Sequence, residues 1–253
     1  MFSKAIVRTP CEAMVKGLRS ADLGIPDYHK ALVQHQDYIR ALQECGLDVT
    51  VLPADESFPD STFVEDPALV TPHCAILTRP GAPTRTAETM AMRQPLSQFF
   101  DTIETIENPG SVEAGDIMMV GDFYYIGLSD RTNRSGAAQM IDILRKYGMD
   151  GAMVTLRDVL HLKTGLSYLE DNNLLICGEF LQDDMFRQFN QLVVDADEAY
   201  AANSVWVNDM VLTPLGFPKT RALIQSAGYT VREVDVSEFQ KLDGGLSCLS
   251  LRF

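Results

Sequence analysis

Near its carboxyl terminus the chain carries the stretch KLDGGLSCLSLRF (Lys241–Phe253), with a cysteine at Cys248. Read as a short alternating strand, this stretch puts Leu249, Leu251 and Phe253 on one face and Cys248 on the other, with Ser250 and Arg252. That is the wrong face for a core thiol. The paired glycines Gly244 and Gly245 just upstream suit close approach by another backbone or a ligand. A lone cysteine is more often a small buried hydrophobe, so other residues must decide. Those residues are His161 in HLKTG, Glu113 in VEAGD, and Glu65 and Asp66 in FVED. Alone, each has an ordinary alternative: a histidine between two leucines is often structural, and an acid before a strand is often a turn or cap residue. Together, a thiol, an imidazole and three carboxylates supply a nucleophile, an acid/base and anionic recognition groups. Clustered carboxylates favour a cation between them, and a planar guanidinium meets carboxylates in bidentate fashion. Its delocalised carbon is a poor electrophile. Attack by sulfur splits the hydrolysis into two easier steps, with histidine first protonating the leaving amine and then deprotonating water.

The elements that must bring these residues together repeat along the chain. A helix over PDYHKALVQHQDYIRAL is stopped by Gly46 and followed by the strand DVTVLP. The strands DPALV and CAILTRP then flank a turn, and a helix over TAETMAMRQPLSQFF, kinked or broken at Pro95, leads to the strand TIETI. DIMMV and FYYIG form the next pair around Gly121-Asp122, followed by the helix NRSGAAQMIDILRKYG and the strand AMVTL. LSYLE and LLICGEF form a third pair. SVWV and MVLTP form a fourth, followed by the helix KTRALIQSAGY and the strand VREVDV. The last strand, in GGLSCLSLRF, has no partner after it, but AIVRTP at residues 5–10 is similar to AILTRP at 75–80 and MVLTP at 210–214. The N-terminal strand can therefore complete a fifth unit. Asp66 and Asp116 stand 50 residues apart, as do Gly115 and Gly165, and such a period marks a ring or an array. The expectation is a single domain over residues 1–253, a five-bladed α/β propeller with pseudo-five-fold symmetry, closed by pairing of the N- and C-terminal strands. In that architecture the residues just before each hairpin converge, and these include Glu65, Asp66, Glu113, His161 and Cys248.

Composition narrows the partners. The formal net charge is −14, which works against nucleic-acid binding and would draw in a cationic ligand. Solubility alone is the other reading of that charge. The five cysteines show no CxxC spacing and the four histidines no HExxH spacing, so neither a disulfide framework nor a metal site is implied. No apolar run is long enough to span a bilayer and no apolar signal core opens the chain, so the expected setting is the cytoplasm.

The segments FPDSTFVEDPALV, VEAGDIMMVGDFYYIG, HLKTGLSYLE, YAANSVWVN and DGGLSCLSLRF resemble the bacterial dimethylarginine dimethylaminohydrolases over essentially the whole chain. That family belongs to the guanidino-group-modifying enzymes, which share the pentein, or five-bladed α/β propeller, fold. The resemblance implies hydrolysis of Nω-methylated arginines to citrulline and an alkylamine, with a methylated arginine as small-molecule partner and no cofactor. It implies Cys248 as nucleophile, His161 as acid and then base, and Glu113 as the carboxylate that orients the histidine. It further implies Asp66 and Glu65 facing the guanidinium, and Asp60 with the backbone carbonyls of Leu18 and Leu242 on the α-amino group. Arg85 and Arg131 would hold the α-carboxylate. The loop from Cys11 to Asp27, which includes Leu18, corresponds to a segment that covers the site in the family. An arginine or agmatine deiminase of the same fold is the competing enzymatic reading, and a non-catalytic binding propeller the competing non-enzymatic one. Exposed strand edges on the outside of a ring are compatible with a homodimer.

Overall fold

The structure, a computed structural model, describes residues 1–20 and 22–253. Of the expected loop from Cys11 to Asp27, Ala21 lies outside the described residues. β1 (Lys4–Arg8) runs parallel to β2 (Asp48–Leu52). β3 (Ala68–Val70) is antiparallel to β4 (Ala75–Leu77), which is parallel to β5 (Ile103–Thr105). The same pattern joins β6 (Ile117–Val120), β7 (Phe123–Leu128) and β8 (Asp150–Thr155). It recurs in β9 (Leu166–Tyr168), β10 (Asn173–Ile176) and β11 (Asn190–Val193). It appears again in β12 (Val205–Val207), β13 (Met210–Pro214) and β14 (Thr230–Val234). β15 (Leu251–Arg252) is antiparallel to β1, pairing Ala5 with Arg252 and Ile6 with Leu251. The terminal strand thus supplies the antiparallel member that β1 and β2 lack, as the likeness among AIVRTP, AILTRP and MVLTP led us to expect.

Helices fill the parallel crossovers. α1 (Tyr28–Glu44) starts where the Asp27 carboxylate accepts the Lys30 N–H at 3.0 Å, and the chain leaves it through Gly46 at φ +88°. α2 (Glu88–Leu96) tolerates Pro95 because it falls in the last turn and the helix ends one residue later. α3 (Arg134–Lys146) is capped by Asn133, whose side chain accepts the Gly136 N–H at 2.8 Å. α4 (Leu162–Gly165) is a single turn. α5 (Pro218–Ser226) opens with proline and receives its cap from a distant residue: the Glu198 carboxylate accepts the N–H groups of Lys219 and Thr220. Between β10 and β11 the crossover has only the 3₁₀ turns Gly178–Gln182 and Asp184–Phe186.

The chain gathers into two compact units, Met1–Val64 with Gly165–Phe253, and Glu65–Thr164. The first holds three sheets and a core around Tyr38, Leu42, Phe63, Leu212 and Phe239. The second holds the sheets β3-β4-β5 and β6-β7-β8 and a core around Ile76, Tyr124, Ile126, Met140 and Leu144. Among the described residues no helix is long and apolar enough to cross a membrane.

Candidate active site

Glu113 and His161, both in the unit Glu65–Thr164, each stand just before a short turn that leads into a strand. Glu113 precedes the 3₁₀ turn Ala114–Asp116 that feeds β6. His161 precedes α4, whose turn is closed by the Thr164 N–H on the His161 carbonyl at 3.0 Å. His161 Nε2 lies 2.8 Å from Glu113 Oε2, and Glu113 is 2% exposed. The other Glu113 oxygen accepts the Ala82 N–H at 3.1 Å and faces Arg131 Nη1 at 3.7 Å. Asp66 is buried beside them: one donor atom each from Asp66, Glu113 and His161 lie within 4.8 Å of one another. This is also the set of groups in this unit that could hold a metal ion.

Gly115 is what lets the three approach. A Cβ there would stand 2.9 Å from His161 Nδ1, so that the imidazole would have to shift, and a tight 3.1 Å from Asp66 Oδ1. Asp66 Oδ2 accepts from Arg85 Nη1, while Asp66 Oδ1 is buried with no hydrogen-bond partner. Arg85 is itself buried, its remaining nitrogens held by Glu88, with Nη2 at 2.7 Å from Oε2. Glu65 accepts from Lys163, the second residue after His161.

The electrostatics follow from this crowding. Burial alone would lower the pKa of His161, but the hydrogen bond it donates to Glu113 and the charges of Asp116, Asp66 and Glu113 outweigh it, and the imidazole is pushed above its ordinary value. Burial would raise Glu113, yet its bond to His161, the His161 and Arg85 charges and the Ala82 N–H hold it below the usual carboxylate range. The pair is therefore an imidazolium and a carboxylate at neutral pH, with a proton available to a leaving group.

In the unit that contains both termini, Cys248 sits in the 3₁₀ turn Ser247–Leu249, not in a strand. The alternation of leucines is real, but the backbone turns here because the Cys248 N–H bonds the Gly245 carbonyl at 3.2 Å. Asn203 also grips Ser247 twice, accepting its N–H at 3.0 Å and donating Nδ2 to its hydroxyl at 3.0 Å. The Gly245 N–H points at Cys248 Sγ, 3.5 Å away. A Cβ on Gly245 would collide with Asn203, and one on Gly244 with Phe63. The expected close approach at these glycines is thus made by the chain itself. All five cysteines are reduced thiols.

The same unit draws together Leu18, Asp60 and Leu242. Asp60 Oδ1 accepts the Leu18 N–H at 3.0 Å. A Cβ on Gly17 would touch both Asp60 Oδ1, at 2.7 Å, and Leu242 Cδ2, at 3.3 Å. Lys163, Glu88 and Asn203 were not among the residues singled out from sequence. Lys163 stands in the quoted HLKTG motif and Asn203 in YAANS, so position was the signal available. Glu88 offered only its i,i+3 spacing from Arg85, a weak signal that does not show the pair to be buried.

A family model described as arginine deiminase matches residues 56–219. A dimethylarginine dimethylaminohydrolase of Pseudomonas aeruginosa is 57% identical over 254 aligned residues that cover 100% of both chains. The solved structure of the Pseudomonas aeruginosa enzyme, a cysteine-to-serine variant complexed with citrulline, matches with a TM-score of 0.99 at 57% identity over 100% of both chains. A histidine-to-glycine variant of a dimethylarginine dimethylaminohydrolase, in adduct with S-methyl-L-thiocitrulline, matches with the same TM-score and coverage. Five three-stranded sheets of one pattern and these likenesses define the class: a five-bladed α/β propeller of the guanidino-group-modifying kind. Within that class, the chain belongs to the dimethylarginine dimethylaminohydrolase family.

Proposed function

We propose that this chain hydrolyses Nω,Nω-dimethyl-L-arginine and Nω-methyl-L-arginine to L-citrulline, releasing dimethylamine or methylamine. The observation that carries the reading is the buried, unpartnered oxygen of Asp66 beside the His161–Glu113 pair, a place built for a cationic N–H donor. The relatives described above were captured with citrulline and a thiocitrulline, on variants of a cysteine and a histidine. In this chain those residue types are assigned to Cys248 and His161.

The Cys248 thiolate forms a C–S bond to the guanidinium carbon. As the C–N bond to the alkylamine breaks, His161 gives its proton to the departing nitrogen, leaving a covalent thiouronium. His161, now neutral, takes a proton from water. The hydroxide adds to the same carbon, the C–S bond breaks as the new hydroxyl gives up its proton to solvent, and citrulline leaves with the thiolate restored. Glu113 holds the imidazole in position and favours its charged form. Asp66 and Glu65 face the guanidinium. Asp60, Leu18 and Leu242 hold the α-amino group, and Arg85 and Arg131, each already oriented by carboxylates of the chain, hold the α-carboxylate. A cytoplasmic setting, a homodimer and a single catalytic domain over residues 1–253 complete the proposal.

The test is a substrate panel of dimethylarginine, monomethylarginine, arginine and agmatine, scored for ureido product and for the amine released. The expected result is citrulline with dimethylamine or methylamine from the first two, abolished in Cys248→Ser and in His161→Ala. Ammonia from arginine as the main product would overturn it, and turnover at the wild-type rate in His161→Ala would remove that residue from the mechanism.

A further inference from the structure

Asp116 is wholly buried, 0% exposed, yet it has no part in the reaction just described. A carboxylate is placed in a protein interior only at a cost, which its partners must offset. Its partners are unusual in what else they hold. Asp116 Oδ1 accepts the N–H of Leu162, the peptide that follows His161, at 3.0 Å. Asp116 Oδ2 accepts the hydroxyl of Ser129 at 2.6 Å. That Ser129 oxygen in turn accepts the backbone N–H groups of Arg131 and Thr132 at 3.0 and 3.1 Å, which fixes the turn after β7. The Thr132 hydroxyl oxygen accepts the N–H of Glu113 at 3.1 Å. A single carboxylate is therefore tied, directly or through one turn, to the three stretches that bear His161, Arg131 and Glu113. The strand β7 is shaped to admit it: a Cβ on Gly127 would stand 3.0 Å from Asp116 Oδ1 and 3.1 Å from Leu162 Cβ.

We propose that Asp116 is a positioning residue of the hydrolysis, holding the Leu162 peptide and the Ser129–Thr132 turn so that His161 Nε2 meets Glu113 and Nδ1 is left for the proton in transit. This rests on the function proposed above. The charged groups that face His161 are Asp66, Glu113 and Asp116, with Arg85 paired to the first and Arg131 to the second. Asp116's own ionisation is a contest: burial raises its pKa, while the His161 charge, the Ser129 and Thr132 hydroxyls and the Leu162 N–H lower it, and the net direction is up. The negative charge of Asp116 is one of the influences that raise His161.

The substitution Asp116→Asn preserves shape and can still accept the Leu162 N–H. It removes the charge and turns an amide N–H₂ toward a serine oxygen that already accepts two N–H groups. The expected result is a fall in kcat of about 10- to 100-fold with KM within about twofold, the effect of a displaced reacting group. The pKa of His161, read from ring nitrogen chemical shifts of the substrate-free protein, should fall toward the ordinary histidine value, and the pH profile of kcat should move with it. Ser129→Ala, which removes one partner and no charge, should lower kcat less and leave KM alone. It decides the matter if Asp116→Asn does not fold. Wild-type kcat and an unmoved His161 pKa in the folded variant overturn the proposal. The titration needs no substrate, so absence of citrulline from the wild-type protein would count against the function while the role of Asp116 is still measured.

Discussion

Asp66 shows how one residue can be both satisfied and waiting. Its Oδ2 is locked to Arg85, which Glu88 holds from the other side, while its Oδ1 is buried without a partner. An orphaned buried acceptor costs about 1–3 kcal/mol, and a guanidinium N–H of a substrate would remove that cost on binding. Gly115 makes the arrangement possible by its lack of a side chain. Gly115→Ala should shift the His161 ring from its place against Glu113 and lower kcat by up to about 100-fold, the loss that a displacement near 1 Å produces. Far-ultraviolet circular dichroism should report an unchanged fold. A Gly115→Ala protein that turns over dimethylarginine as fast as wild type would show that the close approach does not matter.

At the scale of elements, the most informative segment is the crossover from β10 to β11. NQLV at 190–193 is largely exposed and has neither alternation nor an apolar run, so only its pairing with β10 reveals it as a strand. The 3₁₀ turn at Cys248 failed to show itself for the opposite reason: its leucine alternation reads as a strand, and Asn203, far away in sequence, overrides that pattern. The helix α1 is tied to the same terminal segment. Tyr38 is fully buried and donates its hydroxyl to the Leu246 carbonyl at 2.9 Å, with Ser250 Oγ at 2.7 Å. Tyr38→Phe leaves that carbonyl and hydroxyl short of a partner, at a cost of about 1–3 kcal/mol. A chain of this size loses about 2–4 °C of Tm per kcal/mol, which calorimetry would resolve. An unchanged Tm would mean that α1 does not steady the terminal turn through this hydroxyl.

For the molecule as a whole, a net charge of −14 meets a substrate with a guanidinium. An acidic field raises the encounter rate of a cation and is screened by salt, with a Debye length of about 10 Å at 0.1 M. Raising ionic strength should therefore lower kcat/KM for methylated arginines while kcat stays constant. A salt-independent kcat/KM would assign the charge to solubility alone. The N-terminal strand is the other feature at this scale. β1 pairs with β2 on one side and β15 on the other, so residues near both ends of the chain share a sheet.

The amino-acid sequence by itself determined the repeat, the pairing of the two ends and the residue types of the site. Strand periodicity, turn residues and motif spacing are local or periodic signals that survive without coordinates. Tertiary structure alone decided which partner each charge takes. Arg85 lies on Asp66 and Glu88, Lys163 on Glu65, and Asp116 on the peptide beside His161. Apart from Arg85 and Glu88, which stand three residues apart, those choices join residues far apart in the chain and depend on burial and on distances of a few ångströms, where solvation and Coulomb energy change steeply. No spacing along the sequence encodes the long-range ones.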